Sequence, residues 1–359
     1  MPTAAPPPSA AIDYAALAQA PRLLMECELK PLQGDRFQPT GFADLGPARY
    51  TAPRRPHGWT KENGDPNSWE QVEMLLVESA QSVANRLEAA IWDDATDDLI
   101  PELKGLPYIL VKQGDRRLTN SILEAHRINS EYIQPENGEF RKTFIEAIGV
   151  SKEQPIDRKK LHAALFRFDP GSLLHGCFLE EIDGRLRVTR AVSGFVEATG
   201  VMEVASGGVK NNHVQPTLKD GKGNVPFHRA EFVAASVKAY FNLDLALLRG
   251  YGLPDEANRL LIALSLFKIQ EFLRTGLRLR TACDLEPADG GLKTKRPDAF
   301  VIPGEDALLD ECRTLVGACK AHFASPAVTT VEWKEPPKKK DGKKGKDTEN
   351  EEDADEGNS

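Results

Sequence analysis

The sequence predicts an α+β chain, on three observations. RLLMECEL, from Arg22 to Leu29, is a strand-length apolar run held between Pro21 and Pro31, and proline bounds strands because it cannot donate to a ladder. SLLHGCFLEEI and RLRVTRAV are joined by Asp183-Gly184, the two-residue signature of a type I′ hairpin. Pro254 to Thr275 carries a helical pattern that opens with proline in its first turn and stops at Gly276, the usual asymmetry of helix ends.

At 359 residues the chain is long enough for a sizeable core, in one large domain or two ordinary ones. The five cysteines, Cys27, Cys177, Cys283, Cys312 and Cys319, form no CxxC pair and no Cys/His cluster, so neither a disulfide framework nor a bound metal is expected. The N-terminus lacks a basic segment followed by an apolar run, and Leu260 to Phe267 is too short to span a bilayer. The expectation is a cytoplasmic protein away from membranes. Net charge is −8, and the low-complexity stretch from Lys334 to Ser359 holds seven basic and nine acidic residues, leaving 39 against 45 in the body. An acidic body excludes binding of nucleic acid by bulk charge but permits a local basic groove.

Residues 1–20 are Ala/Pro-rich and expected to be disordered, as is the charged tail 334–359. Residues 31–68 show neither helical nor strand periodicity, and loops of that length are functional or disordered. Phe37, Phe42, Tyr50 and Trp59 interleave there with Arg36, Arg49, Arg54, Arg55 and Lys61, a mixture able to stack on bases and meet phosphates. Ser68 and Gln71 form an S-x-x-Q capping box ahead of Val72, Leu75, Leu76, Val83, Leu87 and Ile91, predicting a helix from that point. Its opposite arc groups Gln81, Ser82, Asn85 and Arg86, short donors suited either to a ligand backbone or to another polar surface.

Leu106 to Val111 is a strand. Ser121 with Glu124 is a second capping box, for a helix to Tyr132 carrying His126, Arg127 and Asn129. Phe140 to Ile148, stopped by Gly149, and Arg158 to Phe168 are helices, and residues 93–170 together make a helical insertion. In the Asp183-Gly184 hairpin, Glu180 faces Arg187, while Leu173, Cys177, Leu179, Leu186, Val188 and Val192 share the apolar face. Arg190 falls on that apolar side and needs either a carboxylate or an external anion. Val188 to Val214 begins as a strand and dissolves into Ser206, Gly207, Gly208, Lys210, Asn211, Asn212 and His213, a donor-rich stretch suited to a phosphate chain. Residues 201–228 project as an irregular hairpin, with Met202 near its base as a core residue or a wedge. Arg229 to Arg249 is predicted helical. Leu277 to Leu285 alternates so that Arg278 and Arg280 point outward along a groove. A helix near Ala307 to His322 and a strand from Ala327 to Trp333 complete the chain.

ESAQSVANRLE (Glu78 to Glu88), TNSILEAHRINSEYI (Thr119 to Ile133), RAVSGFVEATGV, ASGGVKNNHV and RFQPTGFADLG (Arg36 to Gly46) resemble the backbone subunit of type I-G, formerly I-U, CRISPR Cascade complexes, over residues 21–333. The resemblance implies a modified RRM or ferredoxin-like antiparallel sheet with helical insertions and a thumb-like hairpin. It also implies a non-enzymatic subunit, without metal or cofactor, that polymerises along CRISPR RNA and presents bases to target DNA. Its partners would be further copies of the chain, a Cas five/six-type fusion subunit and a recruited helicase-nuclease. The residues placed on the guide backbone are Arg36, Gln38, Arg49, Arg54, Arg55, Gln81, Ser82, Asn85, Arg86, His126, Arg127, Arg190, Ser206, Gly207, Gly208, Lys210, Asn211, Asn212, His213, Arg278 and Arg280. A guide holder must accept any sequence, so amides, hydroxyls and scattered arginines directed at sugar and phosphate fit that role. The RNP aromatic pattern is absent, so base stacking on the sheet face is not expected.

Two rivals remain. One is an RNA-cleaving backbone subunit, as in type III complexes, using Asp35 or Asp44. The other is a metallohydrolase using His175, His213 and His228.

Overall fold

A computed structural model gives the fold and describes residues 11–334 apart from 43–45, 57, 137, 151–154, 181 and 212–223. In chain order the main elements begin with β1 (Leu23–Pro31), β2 (Arg49–Arg54), β3 (Glu70–Glu78), α1 (Ala80–Ala89), β4 (Tyr108–Gln113) and β5 (Arg116–Asn120). There follow α2 (Glu139–Ile148), α3 (Arg158–Phe168), α4 (Pro170–His175), β6 (Val192–Asn211), β7 (Asn224–Leu243) and α5 (Asp255–Thr275). The last are β8 (Arg278–Arg280), β9 (Cys283–Arg296), α6 (Glu305–Ala318) and β10 (Val328–Glu332). The class is α+β. A seven-stranded antiparallel sheet in the order β8-β9-β1-β7-β6-β3-β2 carries helices on one face, and a smaller sheet runs β10-β4-β5.

The period-two pattern of β1 explains the layering. Leu23, Met25, Cys27 and Leu29 are buried, while Leu24, Glu26 and Glu28 between them are half-buried on the other face. β7 repeats this with Val237, Ala239, Phe241 and Leu243 inside and Ser236, Lys238, Tyr240 and Asn242 outside. α5 buries Leu260, Leu261, Leu264, Phe267 and Phe272 beneath the sheet and packs along α6. α2 stops at Gly149, whose φ of 62° is left-handed.

Several elements depart from the sequence prediction. Residues 229–243, expected to be helical, lie in β7, paired with β1 on one side and β6 on the other. An Ala-rich stretch suits a helix locally, but two long-range ladders and a clean inside-outside alternation outweigh that preference. The Ser68 capping box starts no helix. Residues 70–78 are strand β3, burying Met74, Leu75 and Val77, and α1 begins only at Ala80, where Ser79 Oγ accepts from Ser82 N at 3.2 Å. The Ser121 box is also absent. Ser121 Oγ accepts from Ile109 N at 3.1 Å and Glu124 Oε1 accepts from Thr119 Oγ1 at 2.7 Å, so both side chains tie the β4–β5 hairpin and only a 3₁₀ turn at Arg127–Asn129 remains.

The Asp183-Gly184 segment closes a longer loop than a two-residue turn, because pairing is confined to Cys177↔Val188 and Phe178↔Arg187. Glu180 therefore does not face Arg187, and Leu173 sits in α4, capped by Asp169. The apolar set from Leu173 to Val192 is nonetheless buried. In the β6–β7 hairpin the ladder runs from Val192↔Leu243 to Asn211↔Asn224 and is regular where described. Gly200 at its base has φ 65° and lies against Ala235, where a Cβ would meet the alanine methyl at 3.0 Å. Met202 is 66% exposed rather than a core residue. The expectation of disorder over 1–20 fails for 11–20, where Tyr14–Leu17 forms a helical turn and Ile12 and Leu17 are buried in the core; residues 1–10 and 335–359, together with Asp44, Asn212 and His213, fall outside the described residues.

A buried polar cluster lies where α1, α4 and α5 meet. Arg127 is enclosed and donates through Nε and Nη2 to Glu88. Lys268 Nζ donates to His175 Nε2 at 3.0 Å, and Asp169 accepts from Ser172 Oγ at 2.7 Å. Burial pulls Lys268 down to about 8, against the opposing charges of Glu88 and Asp169, and pushes Asp169 up to about 6. The lysine is thus most at ease neutral. Its contribution to stability is full above the ordinary value of 10.5 and is lost as pH falls through about 8. Lys268→Met removes this dependence, so between pH 8 and 10 the native chain should gain on the variant by up to about 1.4 kcal/mol per unit. Urea unfolding of Lys268→Met beside the native chain measures the difference, in which the five buried thiols, common to both, cancel.

Candidate nucleic-acid interface

A register shift between Val196 and Glu197 places Glu78 opposite Val196 on the helix-covered side of the sheet, where it is 1% exposed. A carboxylate so placed must be paired. Three donors converge on it: Ser82 Oγ and Arg86 Nε (3.0 Å) from α1, and the Arg280 guanidinium from β8. Arg86 Nη2 also donates to Leu279 O at 2.6 Å, and Arg280 Nη1 donates to Gln38 O at 3.1 Å. The segment around Gln38 is stitched in by backbone bonds from Phe37 N to Phe232 O (2.9 Å), Gln38 N to Ala282 O (2.8 Å) and Thr40 N to Val77 O (3.2 Å).

At the other end of α1, Arg190 donates to Ala80 O at 3.1 Å and to Gln81 Oε1 at 2.9 Å, and Gln81 Nε2 donates to Asn85 Oδ1 at 3.1 Å. Among the described residues, Arg190 is held by neutral acceptors rather than by a carboxylate. The Ala80 and His175 carbonyls and the Gln81 amide oxygen share the guanidinium, and burial and the nearby Arg127 charge pull it below its ordinary value.

The structure thus joins seven residues singled out from the sequence, Gln38, Gln81, Ser82, Asn85, Arg86, Arg190 and Arg280, into a strip along α1 and β8. Arg278 flanks it, 81% exposed along its side chain and 3.7 Å from Asp284. Four arginines stand against the carboxylates of Glu78 and Asp284, so the strip carries a local cationic surplus on an acidic chain. Donors in excess of acceptors suit a phosphate backbone.

The remaining residues are placed apart. Arg127 is buried on Glu88 and presents no donor at the surface, because the missing helix leaves it on an inward-facing turn. His126 is exposed beside it. Arg55 is sandwiched between Trp59 (4.1 Å) and Trp69 (3.7 Å) and donates to Pro66 O and Ser68 O, so it staples its own loop. Arg49 pairs with Glu203 at 2.8 Å over the Phe232 ring, and Arg36 lies 3.7 Å from Glu231, both at the hairpin base. Arg54 lies exposed on the edge strand β2. Ser206, Gly207 and Gly208 pair with Arg229, His228 and Phe227, and Lys210 and Asn211 are the last described positions of β6.

Sequence reasoning missed the open face of the sheet. Phe195 and Tyr240 stack there across β6 and β7, with centroids 5.1 Å apart and planes at 25°, where no stacking aromatics were expected. The β6–β7 register would have revealed the pair, but reading 229–249 as helical hid it. Around it, Tyr50 Oη donates to Glu197, and Lys238 lies 3.6 Å from Glu26 and 3.4 Å from Glu28. Burial and this contact with Glu197 push the Tyr50 hydroxyl up to about 12.

Of the metallohydrolase ligands, His175 is enclosed against Lys268, and the His213 and His228 side chains lie outside the described residues. Among the described residues no group of three or more His, Cys, Asp or Glu is placed to hold a metal, and no helix is long and apolar enough to cross a membrane. Asp35 is exposed on the loop after β1.

A family model described as CRISPR-associated protein GSU0053 matches residues 23–203. The chain belongs to that family. The GSU0053 match spans β1 to the first half of β6, and so includes Glu78, α1 and Arg190 but not β8. No curated protein matches the chain. Solved structures similar to this GSU0053-family chain include a "CRISPR RNA-guided surveillance complex, pre-nicking", at 14% identity and TM-score 0.34, covering 74% of this chain and 76% of that one. A second "CRISPR RNA-guided surveillance complex" gives 13% and 0.33, covering 84% and 83%. Csc2 of Thermofilum pendens gives 10% and 0.30, covering 88% and 92%.

Removing the buried anion strands two guanidiniums, so Glu78→Ala should cost about 3 kcal/mol of unfolding free energy. Arg86→Ala and Arg280→Ala share that anion, and together they should depart from additivity by more than about 0.5 kcal/mol. Urea denaturation of the three variants and the double variant measures both effects.

Proposed function

We propose that this CRISPR-associated chain is the guide-RNA-binding backbone subunit of a type I-G Cascade complex. Copies would assemble side by side along the guide, gripping its sugars and phosphates and leaving its bases to pair with target DNA. The observation that carries this reading is the strip joining Arg190, α1, Gln38 and β8, with more guanidinium and amide donors than acceptors and no dependence on base identity. Exposed donors near the hairpin base, Arg36 and Arg54, together with Ser206 to His213, extend the contact to the guide or a neighbouring copy. The β6–β7 hairpin acts as the thumb, with exposed Met202 at its base as the wedge between bases.

Residues 21–333 form the RRM-like palm, with insertions at 31–68 and 93–170. Cleavage belongs to the recruited helicase-nuclease, and this subunit performs no bond-breaking. An acidic chain can serve because assembly multiplies a few phosphate contacts per copy over many copies.

Arg278 is the arginine to remove, since its exposed side chain contributes least to the fold. Arg278→Ala should weaken binding of single-stranded RNAs of unrelated sequence equally and reduce the slope of log affinity against log salt by about one per subunit. Filter binding across a salt series reads both quantities. An unchanged slope, or a loss confined to one sequence, would count against the strip.

A further inference from the structure

We infer that the open face of the sheet holds a second site, for an unpaired nucleobase of a single strand, stacked against the Phe195–Tyr240 pair. This goes beyond the backbone grip proposed above, because Phe195 alternates with buried Val196 and so faces away from the helices that carry the strip.

A cavity of about 280 Å³ lies beside the pair, bounded also by Leu24, Glu26, Asn242 and Lys295. That is near the size at which small-ligand pockets begin, about 300 Å³. Its chemistry is particular. Phe195 is 37% exposed, a large apolar ring left open beside Ser193 of its own strand and Asn242 of β7. Asn242 lines the cavity, and its enclosed Oδ1 accepts no hydrogen bond among the described residues, so a turn of the amide would offer an acceptor to a ring N–H or an exocyclic amino group. Lys295 lines the cavity 3.3 Å from Glu26, and Lys238 stands beside it, shared between Glu26 at 3.6 Å and Glu28 at 3.4 Å, so two ammonium groups sit at the rim where the phosphate of a stacked nucleotide would lie. A flat apolar wall, an unfilled acceptor and rim cations match a nucleobase with its phosphate better than an aliphatic side chain, which would use only the wall.

The test uses the full chain with single-stranded RNA and DNA carrying 5-iodouracil, irradiated and mapped by mass spectrometry, beside affinity measurements on matched oligonucleotides with and without bases. Cross-links to peptides containing Phe195 or Tyr240 are expected. Phe195→Leu should bind base-containing strands roughly tenfold more weakly, with abasic strands unaffected and Phe195→Trp restoring the affinity. A preference between RNA and DNA names the strand. Cross-links confined to other peptides, or equal affinity losses for base-containing and abasic strands, would overturn the site. So would a Phe195→Leu chain that binds RNA normally but no longer self-associates, which would make the face a contact between copies. Because the strip is probed separately by abasic strands and Arg278→Ala, its failure leaves a different signature from the failure of the sheet-face site.

Discussion

The architecture depends on one buried carboxylate. Glu78 sits at the only register shift in the β3–β6 pairing and gathers Ser82, Arg86 and Arg280, so that a strand, the helix following it and a strand late in the chain meet on one anion. A buried pair of this kind adds little net stability by itself, but losing a partner is costly. It acts as a registration device. Only one placement of β8 against α1 satisfies Glu78, and that placement also brings Gln38 and Arg278 to the edge of α1. The candidate strip is therefore a by-product of a structural constraint, and its cations are held in place before any ligand arrives.

This double use explains why the sequence was informative about the strip and misleading about its mechanism. The polar arc Gln81, Ser82, Asn85 and Arg86 was visible from helical spacing, and its members do lie together. Their first partners are internal, since Glu78, the carbonyls of residues 278 and 279 and, for Gln81, the Asn85 amide take the hydrogen bonds a surface reading would assign to a ligand. Arg55 and Arg127 illustrate the same limit. Nothing local to a guanidinium distinguishes one stacked between two tryptophans, or folded onto a buried glutamate, from one facing solvent.

The fold was legible where a signal is local and illegible where pairing across the chain decides. α2, α3 and α5 were readable because caps, stop glycines and apolar periodicity all sit within a few residues. β7 was not, because Ala230, Ala234, Ala235 and Ala239 make the segment helix-compatible and only its two partner strands settle the matter. The capping boxes at Ser68 and Ser121 show that a four-residue motif is satisfied as readily in a strand or hairpin as at a helix start. One misassigned strand then concealed the Phe195–Tyr240 pair, since cross-strand neighbours appear only once both strands are known.

The central claim is that many copies of this chain share one guide strand. Co-expression with a CRISPR array and the partner subunits, followed by quantifying RNA and protein in the purified assembly, tests it most directly. The account predicts a single guide-length RNA with several copies of the chain per strand, and loss of the assembly on ribonuclease treatment of unprotected guide. Protein recovered free of RNA and monomeric under those conditions would contradict it.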